Sequence, residues 1–443
     1  MASPAIQDNI SELSALFKTV YGPGVEQQQN LAAMLYKRFG EAQIRFGGNS
    51  YEFPARMVNT QSVGARTYRM GLPQPIINND VTCRVRQKFV YATFDIAGPD
   101  IEKGKGNANA FVNSLTDKMR SLTESALKDL NMQTYLDGTG VRATLGGTAA
   151  SMGVAGAGVA QVNRIKYLRV GAQVNVIRQT DGQTPYTGGD NDPGDSNNTR
   201  FTVMALNPAD VNFPPGNPSI TIGKGIPLAG FTPTVPGTPA TGDFITRHKV
   251  LGSELTGLQA LVDDGVIDPA ATILQDIDRT LNPLWKAKVF SNGGSPRDLT
   301  LNLMQLAMDV PEIVSGRRID LVVGSYNARD RYQQLLIPQK RFTDLGLDGG
   351  FQKLEYNGRD FLVDVDCQDD TIYFLNKDCI KKFGLFDLQF VEQTGGILKH
   401  DSLSAGDVFY GFMRVIANLG VVQANANSKI VDLTVDPSYI LNM

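Results

Sequence analysis

Chemistry that needs a histidine or a thiol pair has little to draw on in this 443-residue chain, which holds two histidines, His248 and His400, and three cysteines, Cys83, Cys367 and Cys379. The cysteines are odd in number and none stand two to four residues apart, so neither a zinc knuckle nor a dithiol redox pair can be drawn, and reduced buried thiols are expected. A nucleophilic triad needs a base beside Ser or Cys. His248 falls in an expected strand, Phe244 to Leu251, and His400 in a polar turn, LKHDSLSAGD; a structural or surface role is the reading taken for both. Four closely spaced carboxylates, Asp364, Asp366, Asp369 and Asp370, are hard oxygen ligands that could hold a divalent cation. The calcium-loop pattern, with its central glycine and terminal glutamate, is missing, so a solvated turn is preferred and a metal-dependent hydrolase is kept as a remote alternative.

Phosphate chemistry fares no better. Both Gly-Lys pairs, Gly104-Lys105 and Gly223-Lys224, are followed by glycine rather than Ser or Thr, so no phosphate-cradling loop is present. Gly138-Thr-Gly140-Val-Arg-Ala143 fits GxGxxA on paper but follows an expected helix, whereas a dinucleotide motif follows a strand, so it is read as a helix stop. No catalytic residue, cofactor or metal is expected.

The composition is that of a globular chain of about three domains, with 42% apolar and 20% charged residues and a net charge of −3. The N-terminal MASPAIQDNISELSALF lacks a basic stretch followed by an unbroken apolar core, and no 18 consecutive residues are apolar. Neither secretion nor membrane spanning is expected. No helix carries a basic face with interleaved aromatics, which argues against a sequence-specific nucleic-acid reader. Charge is nonetheless uneven: residues 1–90 hold ten basic and six acidic residues, net +4, leaving −7 for the rest.

The elements that would position these residues follow from periodicity. Ile6, Ile10, Leu13, Leu16 and Phe17 predict a short amphipathic helix, and Leu31, Met34, Leu35 and Phe39 a second one ending at Gly40. Ala42 to Gln87 alternates between turn signals and predicts a long β-hairpin, with too few bulky apolar side chains to stand alone in water. Its arginines suit either local ion pairs or contacts with an acidic surface of another copy. Phe89 to Ile96 reads as a strand. Asn107 to Leu136 reads as a 30-residue spine helix of about 45 Å, with Phe111, Leu115, Leu122, Ala126 and Leu130 on one face. Thr144 to Gln161 reads as a flexible crossing. Ten glycines and ten prolines between Asp181 and Gly242, among the β-like segments 172–178, 200–206, 219–222 and 244–251, predict a small inserted barrel or sandwich. Beyond Gly252 the pattern predicts a helix from Leu299 to Val310 stopped by Pro311, a strand at 319–323, a helix at 327–336, and strands at 360–365 and 371–375. The β-rich end comprises 385–392, 408–418 and 421–424, with a tight reversal at Asn418-Leu419-Gly420.

In this order the chain resembles the major capsid proteins of tailed bacteriophages, the Hong Kong 97 fold. The resemblance rests on the hairpin, the helix FVNSLTDKMRSLTESALKDLNMQTYLDGTG from Phe111, DLVVGSYNARDRYQQLL from Asp320, YNGRDFLVDVDCQDDTIYFLN from Tyr356 and DVFYGFMRVIANLGVVQANA from Asp407. It implies an α+β fold with an N-terminal arm (1–40), an extended loop (41–87), a peripheral domain with the spine helix (88–145 and 396–443), an inserted β-rich domain (161–251) and an axial α/β domain (252–395). The implied function is a self-assembling icosahedral shell enclosing double-stranded DNA without reading it. Its partners would be other copies as hexamers and pentamers, a separate scaffolding protein, a portal and a candidate decoration protein, with no membrane; it would reside in the virion after assembly in the host cytoplasm. The extended loop is expected to cover a neighbour's spine helix, with Arg45, Arg56, Arg66, Tyr68 and Arg69 as candidate inter-subunit contacts. Some relatives weld neighbours through an extended-loop lysine, but residues 41–87 contain none, so that bond is not expected here. An encapsulin-type compartment is the alternative shell, and a tail or fibre protein fits the spine helix poorly.

Overall fold

The computed structural model describes residues 35–39, 48–58, 62–68, 70–72, 74, 79–99, 114–146, 157–186, 190–192, 195–207, 218–223, 239–266, 271–336, 354–391, 398–400, 407–436 and 439. The expected first helix lies outside them. Of the second, residues 35–39 form a single 3-10 turn, Tyr36–Arg38, with Leu35, Tyr36 and Phe39 buried.

The hairpin pairs Ser50–Val58 with Asn79–Arg86, Ser50 opposite Arg86 and Arg56 opposite Asp80. Strict alternation puts Phe53, Ala55, Met57, Val81, Cys83 and Val85 on one face, and the chain's own core covers that face. The next strand, Lys88–Ala97, joins a four-stranded antiparallel sheet with Val408–Val421, Ile380–Phe390 and Lys399–His400. The spine helix, described from Ser114 to Tyr135, lies against this sheet; Leu130 meets Val415 and Ala417. Its 22 residues span about 33 Å, and the expected start at Asn107 falls outside the described residues. Gly138 and Gly140, with φ of 87° and 86°, stop it as read, because only glycine adopts that conformation without strain.

The Gly/Pro-rich block forms a closed barrel. Its strands run in the order Val141–Thr144, Phe244–Arg247, Gln173–Ile177, Asp195–Asn207, Ser219–Gly223 and Ala157–Gln161, with Asp190–Asp192 hanging on Asp195–Asn207. A bridge between Leu145 and Val162, flanked by 3.0 Å bonds from Gly146 N to Gln161 O and from Asn163 N to Thr144 O, joins the last strand to the first. Val174, Val176, Val203, Ile220, Ile222 and Ile245 fill it. Part of the expected flexible crossing, Ala157–Gln161, is therefore a barrel strand; closure recruits it because it otherwise leaves two edges unpaired.

A mixed six-stranded sheet follows, ordered Lys288–Phe290, Ser428–Ile430, Ile372–Leu375, Leu321–Gly324, Arg359–Val363 and Glu355–Tyr356. Helices Leu301–Ser315 and Tyr326–Leu336 pack on it through Met304, Ala307, Ala328 and Tyr332. Two expectations fail here for identifiable reasons. Pro311 does not stop its helix, which runs on to Ser315 and ends at Gly316 in the left-handed region. Proline deprives the Ala307 carbonyl of its helical donor, and Ser428 Oγ replaces it at 2.6 Å. Ser428→Ala should therefore strand a buried carbonyl and cost about 1–3 kcal/mol in chemical denaturation of the subunit. The second failure is at Asn418-Leu419-Gly420, which makes no reversal; Asn418, Leu419 and Gly420 pair with Phe383, Lys382 and Lys381 inside one continuous strand. Gly420 is small because a Cβ there would run into Phe383, Val85 and Gln275.

Candidate functional site

Among the described residues no group of three or more His, Cys, Asp or Glu side chains could hold a metal ion, and no helix is long and apolar enough to cross a membrane. The carboxylate run is only in part the expected solvated turn: Asp370 is exposed at its end. Asp364 and Asp366 are buried, and their oxygens are already engaged. Lys128 Nζ lies 2.9 Å from Asp366 Oδ1, and Asn131 Nδ2 donates to Asp366 Oδ2 at 2.6 Å and to Asp364 Oδ2 at 3.1 Å. Asp369 is gripped by Lys166 at 2.6 Å. Burial pushes the carboxyls of Asp366 and Asp369 above their usual range, against the pull of Lys128 and Lys166. This is a structural hub in which Asn131 Oδ1 also accepts from the amides of Leu35 (3.0 Å) and Tyr36 (3.1 Å), tying the segment before the hairpin to the spine helix.

The remaining candidates for chemistry are equally occupied. His248 sits in a turn just past its strand, its Nδ1 2.6 Å from Asn175 Oδ1. His400 is in a short exposed strand rather than a turn, edge-on to Phe409 because it pairs with that residue across the sheet. Burial pushes the thiols of Cys83 and Cys379 up to about 12 and about 11, and that of Cys367 well above its usual value. None is a nucleophile at neutral pH.

What the molecule offers instead is surface. Of the residues singled out in the sequence, Arg45 and Arg69 lie outside the described residues. Arg56 faces Asp80 across the hairpin at 2.9 Å. Their hydrogen bond raises the guanidinium pKa and lowers that of the carboxyl. Farther toward the base, Arg84 pairs with Glu52 at 2.7 Å, and Arg84 and Arg86 reach Asp276 at 3.4 and 3.2 Å. Asp276 and Gln275 form a two-residue turn with φ of 63° and 54°, between Ile273–Leu274 and Ile277–Asp278. Gln275 O accepts from Arg84 N at 2.9 Å. The strands of the hairpin thus spend their charge within the chain and lock its base.

The tip differs. Arg66 is exposed, and Tyr68, Val63 and Leu72 are 92%, 89% and 88% exposed, with Met70 beside them. Sequence reasoning found Arg66 and Tyr68 but missed Val63, Met70 and Leu72, because scattered apolar residues outside any periodic element give no signal. A second uncovered surface is the face of the four-stranded sheet turned away from the spine helix. There Phe89 (50%) and Tyr91 (59%) are exposed, Phe412 lies 6.4 Å from Tyr91, and the Arg414 guanidinium stands 5.2 Å over the Phe386 ring.

No protein-family model and no curated protein sequence matches the chain. Among solved structures it is similar to the Cyanophage A-1(L) capsid asymmetric unit, with a TM-score of 0.58 and 12% identity over 96% of this chain and 99% of that one. It is also similar to the capsid of a native GTA particle, with a TM-score of 0.51 and 8% identity over 98% of this chain and all of the other. The chain has the fold of these capsid subunits, the Hong Kong 97-like α+β architecture.

Proposed function

We propose that this chain is the major capsid protein of a tailed phage, a structural subunit that closes with its copies, as hexamers and pentamers, into the shell around a double-stranded DNA genome. One observation carries the reading: the fold likeness to capsid subunits extends over 96% of this chain and 99% of the cyanophage chain, leaving no large part of either outside it. The surfaces agree with it. A loop tip rich in exposed Val, Tyr, Met and Leu is a liability on a monomer and an asset between subunits. The three thiols and the carboxylates of Asp364 and Asp366 lie buried in the interior.

On this reading residues 1–40 are the arm and 41–87 the extended loop; the spine helix with the four-stranded sheet is the peripheral domain, the barrel from Val141 to Arg247 the insertion, and the six-stranded sheet with its two helices the axial domain. A separate scaffolding protein and a portal take part in assembly in the host cytoplasm, the insertion is the candidate seat of a decoration protein, and the finished protein resides in the virion. Interfaces of thousands of Å² per subunit accumulate across such a shell. The deciding experiment is negative-stain microscopy of the expressed chain, alone and with its scaffolding protein. Closed shells are expected; subunits that stay monomeric in both preparations overturn the proposal. Protein cargo in place of DNA inside native particles would point to an encapsulin-type compartment.

The loop arginines give a narrower test. Arg66→Glu with Arg69→Glu is expected to reduce shell yield at least about tenfold; for the exposed Arg66 the thermal midpoint of the subunit should move little, since exposed substitutions stay within about 0.5 kcal/mol. Normal shells from the double variant would remove these residues from the interface.

A further inference from the structure

We infer that Lys128 and Asp366 condense, within one chain, into an isopeptide bond between Lys128 Nζ and Asp366 Cγ that ties the spine helix to the loop behind the six-stranded sheet. The bond is internal to the subunit, so the inference goes beyond the shell reading and does not depend on it.

The buried hub holds one acid too many. Asp364 and Asp366 are 2% and 4% exposed, and Lys128, at 1%, is the cation that the described residues bring to them. Two carboxylates sharing a dry site favour a proton on one of them. Burial acts on Asp366 first and the Asp364 charge adds to it, holding the Asp366 carboxyl above its usual range. A protonated acid facing a desolvated lysine is the pair from which an amide forms, because burial turns the amine into a nucleophile and the acid is no longer shielded by its own charge. The reacting atoms are already in place. Lys128 Nζ lies 2.9 Å from Asp366 Oδ1, which is bonded to the carbon under attack. Asn131 Nδ2 donates at 2.6 Å to Oδ2, the oxygen on which negative charge develops. The backbone of Asp366 is pinned on both sides, its amide donating to Asp364 Oδ1 at 2.9 Å and its carbonyl accepting from the Tyr167 hydroxyl at 2.9 Å.

The step balances without a co-reactant, and the ion pair is the state from which it starts. The ammonium passes one proton to Asp366 Oδ1 along their contact. The free amine attacks Cγ and the carbonyl electron pair moves to Oδ2; on its return the Cγ–Oδ1 bond breaks, and Oδ1 takes a second proton from Nζ and leaves as water. Asp364 acts through Asp366 and is a positioning residue. The chain's other fully buried Lys–Asp pair, Lys429 and Asp263 at 2.7 Å, matches one cation with one carboxylate and is expected to stay ionic. Because the barrel lies between residues 128 and 366, the bond would close a covalent loop around the whole insertion.

Intact-mass spectrometry of the purified full-length chain tests it without any substitution. The chain should be lighter than its sequence by one water molecule, and a tryptic digest should contain the peptides of Lys128 and Asp366 joined. A chain at full sequence mass overturns the inference, as does a linkage that maps to Lys429 and Asp263 or to any other pair. Asp366→Ala should carry its full sequence mass; a variant that still lacks one water overturns the assignment of the carbon. Asp364→Asn keeps the shape and the acceptor for the Asp366 amide but removes the charge, and should lower the linked fraction by about tenfold, the factor of one pKa unit; an unchanged fraction overturns the part given to Asp364. As a second readout, a protease site inserted after Asp181, in an exposed turn of the barrel, is cut and the product run on a denaturing, reducing gel. One band containing both halves is expected, and two separate fragments overturn the bond.

Discussion

Gly257→Ala should destabilise the subunit by about 3 kcal/mol, at the upper end of what one added methyl group costs in a packed interior. Gly257 precedes the short helix Leu258–Leu261 with φ of −96°, so its need for glycine is not conformational. A Cβ there would stand closer than 3.0 Å to the carbonyl oxygens of Gln133, Thr134 and Leu136. These are backbone atoms at the end of the spine helix and cannot swing aside as a flexible side chain would. The same junction is held by the amide of Leu255, which donates to Gln133 Oε1 at 3.1 Å. The expected reading is a lower urea midpoint for the unassembled subunit with an unchanged slope. Gly48→Ala serves as the control, since its Cβ would meet nothing within 4 Å. If both variants unfold at the same urea concentration, the spine end is not packed as described.

Lys128→Ala should cost about 3–5 kcal/mol, because it leaves the Asp366 carboxylate buried with its cation gone. Lys128 and Asp366 are both nearly inaccessible and 2.9 Å apart. Asn131 alone cannot neutralise the charge that remains. The pH dependence has a definite sign. Burial holds the folded-state pKa of Asp366 above its unfolded value, so the folded chain binds the extra proton. This group's unfavourable contribution is full above the folded pKa and fades as pH falls toward about 4, the ordinary carboxylate range. The deficit of Lys128→Ala should accordingly be largest at neutral pH and shrink on acidification. Adding Asp366→Asn to Lys128→Met removes both charges and should restore most of the stability. A deficit that grows with acid, or a double variant no better than the single, would show that the pair is not coupled.

Periodicity carried the parts of the fold whose partners lie near in sequence. The apolar row Leu122, Ala126, Leu130 located the spine helix, and the alternation of Phe53, Ala55 and Met57 against Val81, Cys83 and Val85 located the hairpin arms. The barrel strands inside the Gly/Pro-rich block were visible because turns rich in Gly and Pro set them apart, whereas Val141–Thr144 and Ala157–Gln161, which lie before it, were not. What escaped depends on distant partners. Pro311 looks like a stop until Ser428, more than a hundred residues away, supplies the missing donor. Asn418-Leu419-Gly420 looks like a turn until Phe383 and Val85 account for the small residue. The acidic run looks solvated until Lys128, Asn131 and Lys166 arrive from other elements. The turn at Gln275-Asp276 carries none of the Asn-Gly or Asp-Gly signals that mark such hairpins, and arginines from another strand hold it in place. The loop tip was legible only in its arginines and tyrosine, since its exposed apolar residues Val63, Met70 and Leu72 follow no periodic spacing.

The barrel begins and ends on adjacent paired strands: Thr144 lies opposite Phe244 and Val141 opposite Thr246, so roughly a hundred residues leave the body and return about one strand spacing, some 5 Å, apart. A segment with that end geometry is portable. A short turn could replace it, or a foreign domain with closely spaced termini could be grafted in its place, without altering the path of the surrounding chain. The graft must also supply what the barrel gives the body, namely Lys166 for Asp369, the Tyr167 hydroxyl for the Asp366 carbonyl, Arg247 for Asp129 and Arg142 for Glu254. Those four groups are the socket's terms of exchange, contacts that an engineered display module would have to reproduce.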